Sequence, residues 1–363
     1  MYIGAIVTIA GDGRTEGVKA SLPVRGSAFK QSSASQLILG SPVAFSELLG
    51  QSLLDRVVQR LRGFGIEQVS VISEGAKSKL APIDDLSSAS NTFWSAWDSV
   101  VSQFLNNGID TLLLVRMGPY VEVDIPELVH FHREGAHSVT QVYDDKGPLD
   151  LVLVDAAELK AGEGSFRSRL SALLPHRGRY RFSGYSNRLQ EPADFRQLVN
   201  DAFLTRCAVQ PLGREVRPGI WMGDYSFVDD SARVDAPAYI GTGTRIGPSC
   251  AIGGSSAIEQ GCEVDCGTTI EDCCIFPGTY VGMGLNVRHS IVSGSQLFNL
   301  KRNVELEFSD SRLIANTLAS RNQVTNATSR FLRPVRTWSS SGISSRVSRV
   351  ASLVSNHWPG SSG

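Results

Sequence analysis

Counting in sixes from Val228 lands on Val234, Ile240, Ile246, Ile252, Ile258, Val264, Ile270 and Phe276, all large and apolar, and all β-branched except Phe276. Four residues after each of the first eight positions stands a small one: Ala232, Ala238, Thr244, Cys250, Ser256, Cys262, Thr268 and Cys274. An α-helix repeats every 3.6 residues and a strand every two, so neither explains this period. A triangular solenoid does. Each hexapeptide supplies one short strand and one corner, the apolar residue fills the interior, and the small residue fits beside it. Gly241, Gly247 and Gly253 directly follow core residues and are expected where the backbone bends. The segment from about Phe227 to Tyr280 is therefore predicted to be a left-handed parallel β-helix. The register is expected to slip by one after Tyr280, to Val281 and Val287, and Val304, Leu306 and Phe308 alternate like a terminal strand capping the open end.

This pattern also accounts for the cysteines. Four of the six crowd between Cys262 and Cys274. Cys250, Cys262 and Cys274 fall on small core slots, so they are read as reduced thiols of a cytoplasmic protein rather than as a metal cluster. A formal net charge of −1 gives no global field for nucleic acid. Ile3 to Val7 reads as a buried first strand rather than a signal peptide, because no basic segment precedes it and Gly11-Asp12-Gly13 interrupts it.

The first half alternates strands and helices. Strands are predicted over residues 2–9, 69–72, 111–115, 138–143 and 149–154, with helices over 52–63, 93–106 and 125–134. Alternation of this kind predicts a parallel sheet between helices. Residues 27–45 and 82–91 are Ser-rich and predicted to be loops.

The order of these segments resembles the sugar-1-phosphate nucleotidyltransferases, which make NDP-sugars and often carry a C-terminal hexapeptide β-helix. Ala10-Gly11-Asp12-Gly13-Arg14 stands where that family has its glycine-rich nucleotide loop, and Val18 to Val24 resembles its Pro-Lys-Pro stretch. Gly50 to Val57, Gly65 to Ile72, Leu112 to His132 and Gly184 to Asp201 follow the family order, and Pro218 to Trp221 leads into the repeats. The resemblance covers roughly residues 1 to 310. It implies a Rossmann-like nucleotide-sugar-transferase domain over 1–215 and an all-β left-handed parallel β-helix with its cap over 216–310, which leaves 311–363 as a tail. It also implies phosphate contacts from Gly11, Gly13, Arg14 and Lys19, and Mg²⁺ between two carboxylates.

The chain departs from the family at its chemical positions. The loop between Gly13 and Lys19 is short for a triphosphate. Pro119 stands where the first metal carboxylate is expected, and Arg188 where the second is. Only Asp144 to Pro148 separate two strands where the family has a long sugar-binding segment. The expected function is a catalytically degenerate subunit that regulates or scaffolds a partner enzyme, or binds a nucleotide or NDP-sugar. One alternative is an active, Mg²⁺-dependent nucleotidyltransferase with displaced ligands such as Asp12, Asp124 or Asp150, although Asp124 also suits a helix N-cap. A hexapeptide acyltransferase needs a histidine beside the solenoid, and His289 stands alone beyond the repeats. His130, His132 and His137 read as a solvated helix end, with His130 and His132 on different sides.

After Asp310 there is no acidic residue, and Arg321, Arg330, Arg333, Arg336, Arg346 and Arg349 make the Ser-rich tail basic. Ile343, Val347, Val350 and Val354 recur at helical spacing, so 343–354 is expected either to dock on the protein or to touch an anionic membrane surface or a partner. A homo-oligomer built through the β-helix is expected.

Overall fold

Strand Ile3–Ile9 is buried along nearly its whole length, which places it inside a sheet covered on both faces. The structure is a computed structural model and describes residues 2–9, 37–39, 41–73, 92–161 and 164–317. They fall in the first of two compact units, Met1–Ser320 and Arg321–Gly363. No helix among them is long and apolar enough to cross a membrane. The 343–354 segment and the other tail residues past Thr317 lie outside the described residues.

The first sheet has six strands in the order Gly178–Arg181, Val139–Asp144, Gly147–Asp155, Thr111–Arg116, Ile3–Ile9, Gln68–Ser73. Alternate residues of Ile3–Ile9 serve two cores. Ala5, Val7 and Ile9 join Leu53, Leu61, Leu128 and Leu198 on one face. Ile6 joins Trp97, Phe104, Phe166 and Leu170 on the other. Helix Leu53–Gly63 starts where the Ser52 hydroxyl accepts from the Asp55 amide at 3.0 Å, and helix Ile125–Glu134 where Asp124 accepts from the Glu127 amide at 3.0 Å.

The sheet is mixed, not parallel throughout. Gly147–Asp155 runs antiparallel to both neighbours. Only Asp145 and Lys146 separate it from Val139–Asp144. A parallel return needs a crossover of about a dozen residues, whereas two suffice for a hairpin. Residues 37–45 are not a plain loop either: Leu37–Ile38 pairs with Ser41–Pro42, and Val43 and Ala44 are buried.

From Ile220 to Ser293 the chain visits three sheets in rotation, and within each sheet these strands pair in parallel. Ile220 lies opposite Ala238, and Ala238 opposite Ser256, eighteen residues further on each time. Val234, Ile240, Ile246, Ile252, Ile258, Val264 and Ile270 share one hydrophobic cluster drawn from all three sheets. The register shortens earlier than the sequence pattern suggested. Ile258 pairs with Ile275, so Ile275 takes the core position and Phe276 turns outward. Cys273 likewise fills the small slot in place of Cys274.

The small slots also bond one rung to the next. Thr244 donates to the Glu259 carbonyl at 2.6 Å, Cys250 to Asp265 at 3.0 Å, Cys262 to Phe276 at 3.1 Å and Thr268 to Gly282 at 2.6 Å. The bends are not at Gly241, Gly247 and Gly253. Left-handed backbone falls two residues later, at Gly243, Ser249 and Ser255. Gly241 is needed for close approach instead: a Cβ there would lie 2.5 Å from the Gln260 nitrogen.

Val304–Glu307 is a strand, as the alternation suggested, but Val304 and Leu306 are 43% and 47% exposed. The covering strand is Ile314–Asn316, which returns antiparallel to Thr279–Val281 with Ile314 buried. The strand region thus extends past the expected boundary at 310.

The two regions dock through the outward column of the eight-stranded sheet. Trp221, Tyr239, Ala257, Cys274 and Ile291 follow one another across its ladder and join the α/β core. Phe195 meets Phe276 edge-on at 5.3 Å, and Phe203 stacks on Trp221 at 5.8 Å. Two polar side chains lock this contact. Arg196, 4% exposed, donates to Asp272 at 2.6 Å and to the Ser255 carbonyl at 2.8 Å. Glu259, 2% exposed, accepts from the Leu49 and Gly50 amides at 2.7 and 2.8 Å. Those amides converge because Leu49 and Gly50 both have positive φ in a two-residue hairpin turn.

Two outcomes are expected. Thr268→Val keeps shape but orphans the Gly282 carbonyl and the Leu285 amide that Thr268 accepts from at 3.1 Å. It should cost about 1–3 kcal/mol in denaturant unfolding. Burial, then the nearby Glu47 charge, pushes the Glu259 carboxyl up to about 8. A raised carboxyl holds its proton more tightly in the folded state, so its contribution is full below the ordinary glutamate value and is lost as pH rises toward 8. Unfolding curves at pH 6 and 9 should show this loss, and Glu259→Gln should flatten it.

Candidate functional site

The carboxyl ends of the central strands bring Pro119 and Arg188 together. Met117 donates its amide to the Thr8 carbonyl at 2.7 Å, tying the ends of Thr111–Arg116 and Ile3–Ile9. The chain then forms the short strand Tyr120–Val121, which pairs antiparallel with Ser186–Asn187. Asn187 faces Tyr120, so Pro119 and Arg188 leave the ladder at the same end.

Arg188 is held firmly. It forms a short ion pair with Asp144 and donates to the Gly147 carbonyl at 3.2 Å. Burial pushes the Asp144 carboxyl up, but hydrogen bonds from Arg188 and from the Lys146 amide outweigh it and hold the carboxyl below its usual value. The Arg188 Nε is buried and has no hydrogen-bond partner among the described residues.

Asp150 sits beside this pair on Gly147–Asp155. Burial raises its carboxyl, while Arg116 and then Arg188 pull it down. It accepts no hydrogen bond from the described residues. With Arg60, Phe64, Arg116, Pro119 and Tyr120 it lines a cavity of about 40 Å³. At about 10–15 Å³ per water position that is room for about three or four waters.

The site therefore sets the Asp144 and Asp150 carboxyl groups among the guanidinium groups of Arg60, Arg116 and Arg188. A guanidinium can neutralise a phosphate but cannot exchange ligands or polarise water as a divalent cation does. No group of three His, Cys, Asp or Glu side chains among the described residues is placed to hold a metal ion. Asp124 is engaged at its helix N-terminus. Asp12, Gly11, Gly13, Arg14 and Lys19 lie outside the described residues.

The histidines separate. His130 pairs with Glu134 at 3.1 Å on the surface. His132 is no solvated residue: it is buried and its Nδ1 is 2.7 Å from the Thr140 hydroxyl, because its side of the helix faces the sheet. His137 packs on Phe131 at 5.8 Å. His289 has its Nδ1 2.5 Å from Asp272, the partner of Arg196, and so belongs to the docking contact.

Comparison with protein-family models gives no match. Comparison with curated proteins gives none either.

The sequence reading missed Arg116, Asp144 and Glu259. Arg116 ends the otherwise apolar run Thr111 to Val115, which was a usable signal. Asp144 was read only as part of a short connection. Glu259 follows a core isoleucine just as Glu271 does, and only docking distinguishes them.

Arg188→Ala should leave the half-buried Asp144 unpaired and cost about 1–3 kcal/mol at neutral pH. A depressed carboxyl stabilises above the ordinary aspartate value and loses that contribution as pH falls through its lowered one. Acid unfolding of the variant should therefore lack this component, as pH-dependent melting would show.

Proposed function

We propose that this chain is a sugar-1-phosphate nucleotidyltransferase-like protein of NDP-sugar and polysaccharide biosynthesis whose catalytic site is degenerate. In this reading the mixed α/β region is the Rossmann-like nucleotide-binding domain, and the rotating parallel strands form a left-handed β-helix. The protein then acts as a regulatory, scaffold or nucleotide-sugar-binding subunit in the cytoplasm. The supporting observation is Arg188, pinned by Asp144 and the Gly147 carbonyl next to Pro119. A fixed cation stands where the resemblance calls for a carboxylate. Such a site can attract phosphate, but it lacks the paired carboxylates that would seat Mg²⁺.

A second reading is an active enzyme whose metal is held by displaced ligands. It is favoured by Asp150, which lines the cavity beside Pro119 and is free of hydrogen bonds from the described residues.

Melting the full chain with a panel of NTPs and NDP-sugars, with and without Mg²⁺, separates the two. A ligand at a hundred times its Kd stabilises the folded state by about 2.7 kcal/mol. The degenerate reading expects a Mg²⁺-independent rise with a nucleotide or NDP-sugar, or no rise at all for a pure scaffold, and no pyrophosphate release. Mg²⁺-dependent stabilisation by one NTP, with pyrophosphate release that Asp150→Asn abolishes, establishes the second reading and overturns the first.

A further inference from the structure

The eight-stranded sheet ends on two exposed strands, Arg214–Arg217 at one edge and Val304–Glu307 at the other. Every residue of both is exposed. Among the described residues no strand pairs with the outer side of either edge, which makes each a template for another strand. The two edges differ in charge. One carries Arg214 and Arg217, and its Glu215 is occupied by the Gly219 amide at 2.7 Å. The other carries Glu305 and Glu307, with Lys301 and Arg302 confined to the preceding turn.

Strand direction makes the edges compatible. Arg214–Arg217 runs antiparallel to Ile220–Met222, which begins the parallel set. Gln296–Asn299 reverses that set and Val304–Glu307 reverses again. Val304–Glu307 therefore points the same way as the parallel strands, and Arg214–Arg217 the opposite way. Two copies in the same orientation, one above the other, bring these edges together as an antiparallel pair. A two-fold pairing of Val304–Glu307 with itself would gather four glutamates at one seam, and the basic edge would gather four arginines. Like charges directly opposite are unfavourable.

We propose that copies of this chain associate head to tail, the Val304–Glu307 edge of one adding to the Arg214–Arg217 edge of the next. Such a contact is heterologous, so it propagates unless it closes on itself. It goes beyond the proposed function and does not depend on it.

Sedimentation velocity of the full chain tests this. The wild type should exceed the mass of one chain as concentration rises, and the effect should weaken with added salt. Glu305→Arg with Glu307→Arg gives two basic edges; Arg214→Glu with Arg217→Glu gives two acidic ones. Each double variant alone should remain at the mass of one chain while melting like the wild type. Mixing the two restores opposite charge at every junction and should restore assembly. A wild type that stays at one chain throughout overturns the proposal. So does an assembly unaffected by either double variant, or one lost in the variants and not recovered on mixing.

Discussion

Glu259 is almost wholly withdrawn from water, yet both its oxygens meet backbone amides from a turn more than two hundred residues earlier. An uncompensated carboxylate there would be costly. The turn is shaped to meet it. Gly50 passes so close to Tyr239 that a Cβ would lie 2.3 Å from the phenol oxygen. Arg56 donates to the Leu48, Leu49 and Gln210 carbonyls, bracing the turn against the chain that leads into the parallel strands. With Arg196 gripping Asp272 on the other flank, the docking has two polar locks around an apolar column. The strand ends that carry Arg188 share one core with that column, so the candidate site and the docking surface are mechanically continuous.

The six-residue period was legible because a repeat averages out local ambiguity. Its phase was legible only as far as Ile270. The count in sixes put Phe276 in the core, whereas its neighbour Ile275 takes that place and adjacent residues on a strand face opposite ways. Which one turns inward is decided by Phe195, a partner distant in sequence. The mixed sheet was legible in principle, since the short connection from Asp144 to Pro148 was noticed, but alternation was given more weight than loop length. The helix Pro192–Phe203 was not called as an element, although it carries Phe195, Arg196 and Phe203.

The candidate site was legible as a set of departures. Pro119 and Arg188 were marked separately from the resemblance, and a two-residue ladder sets them side by side. What holds Arg188 was not legible. Asp144 ends the strand that a two-residue turn joins to Gly147–Asp155, so one tight hairpin supplies both the ion-pair partner and the carbonyl that hold Arg188. A longer connection would leave Asp144 somewhere else.

Stacked repeats are usually tolerant of duplication, because one added rung only lengthens the stack. This stack is denied that freedom. Arg196 and the Leu49–Gly50 turn grip successive rungs, and the chain enters the stack at Ile220 from the same rigid body. One rung gained between Ile220 and Gly254 would displace both grips by about 4.8 Å, the spacing of neighbouring strands, which no hydrogen bond spans. Repeat number here is a gauge length. The two grips fix how many strands fit between Ile220 and Asp272.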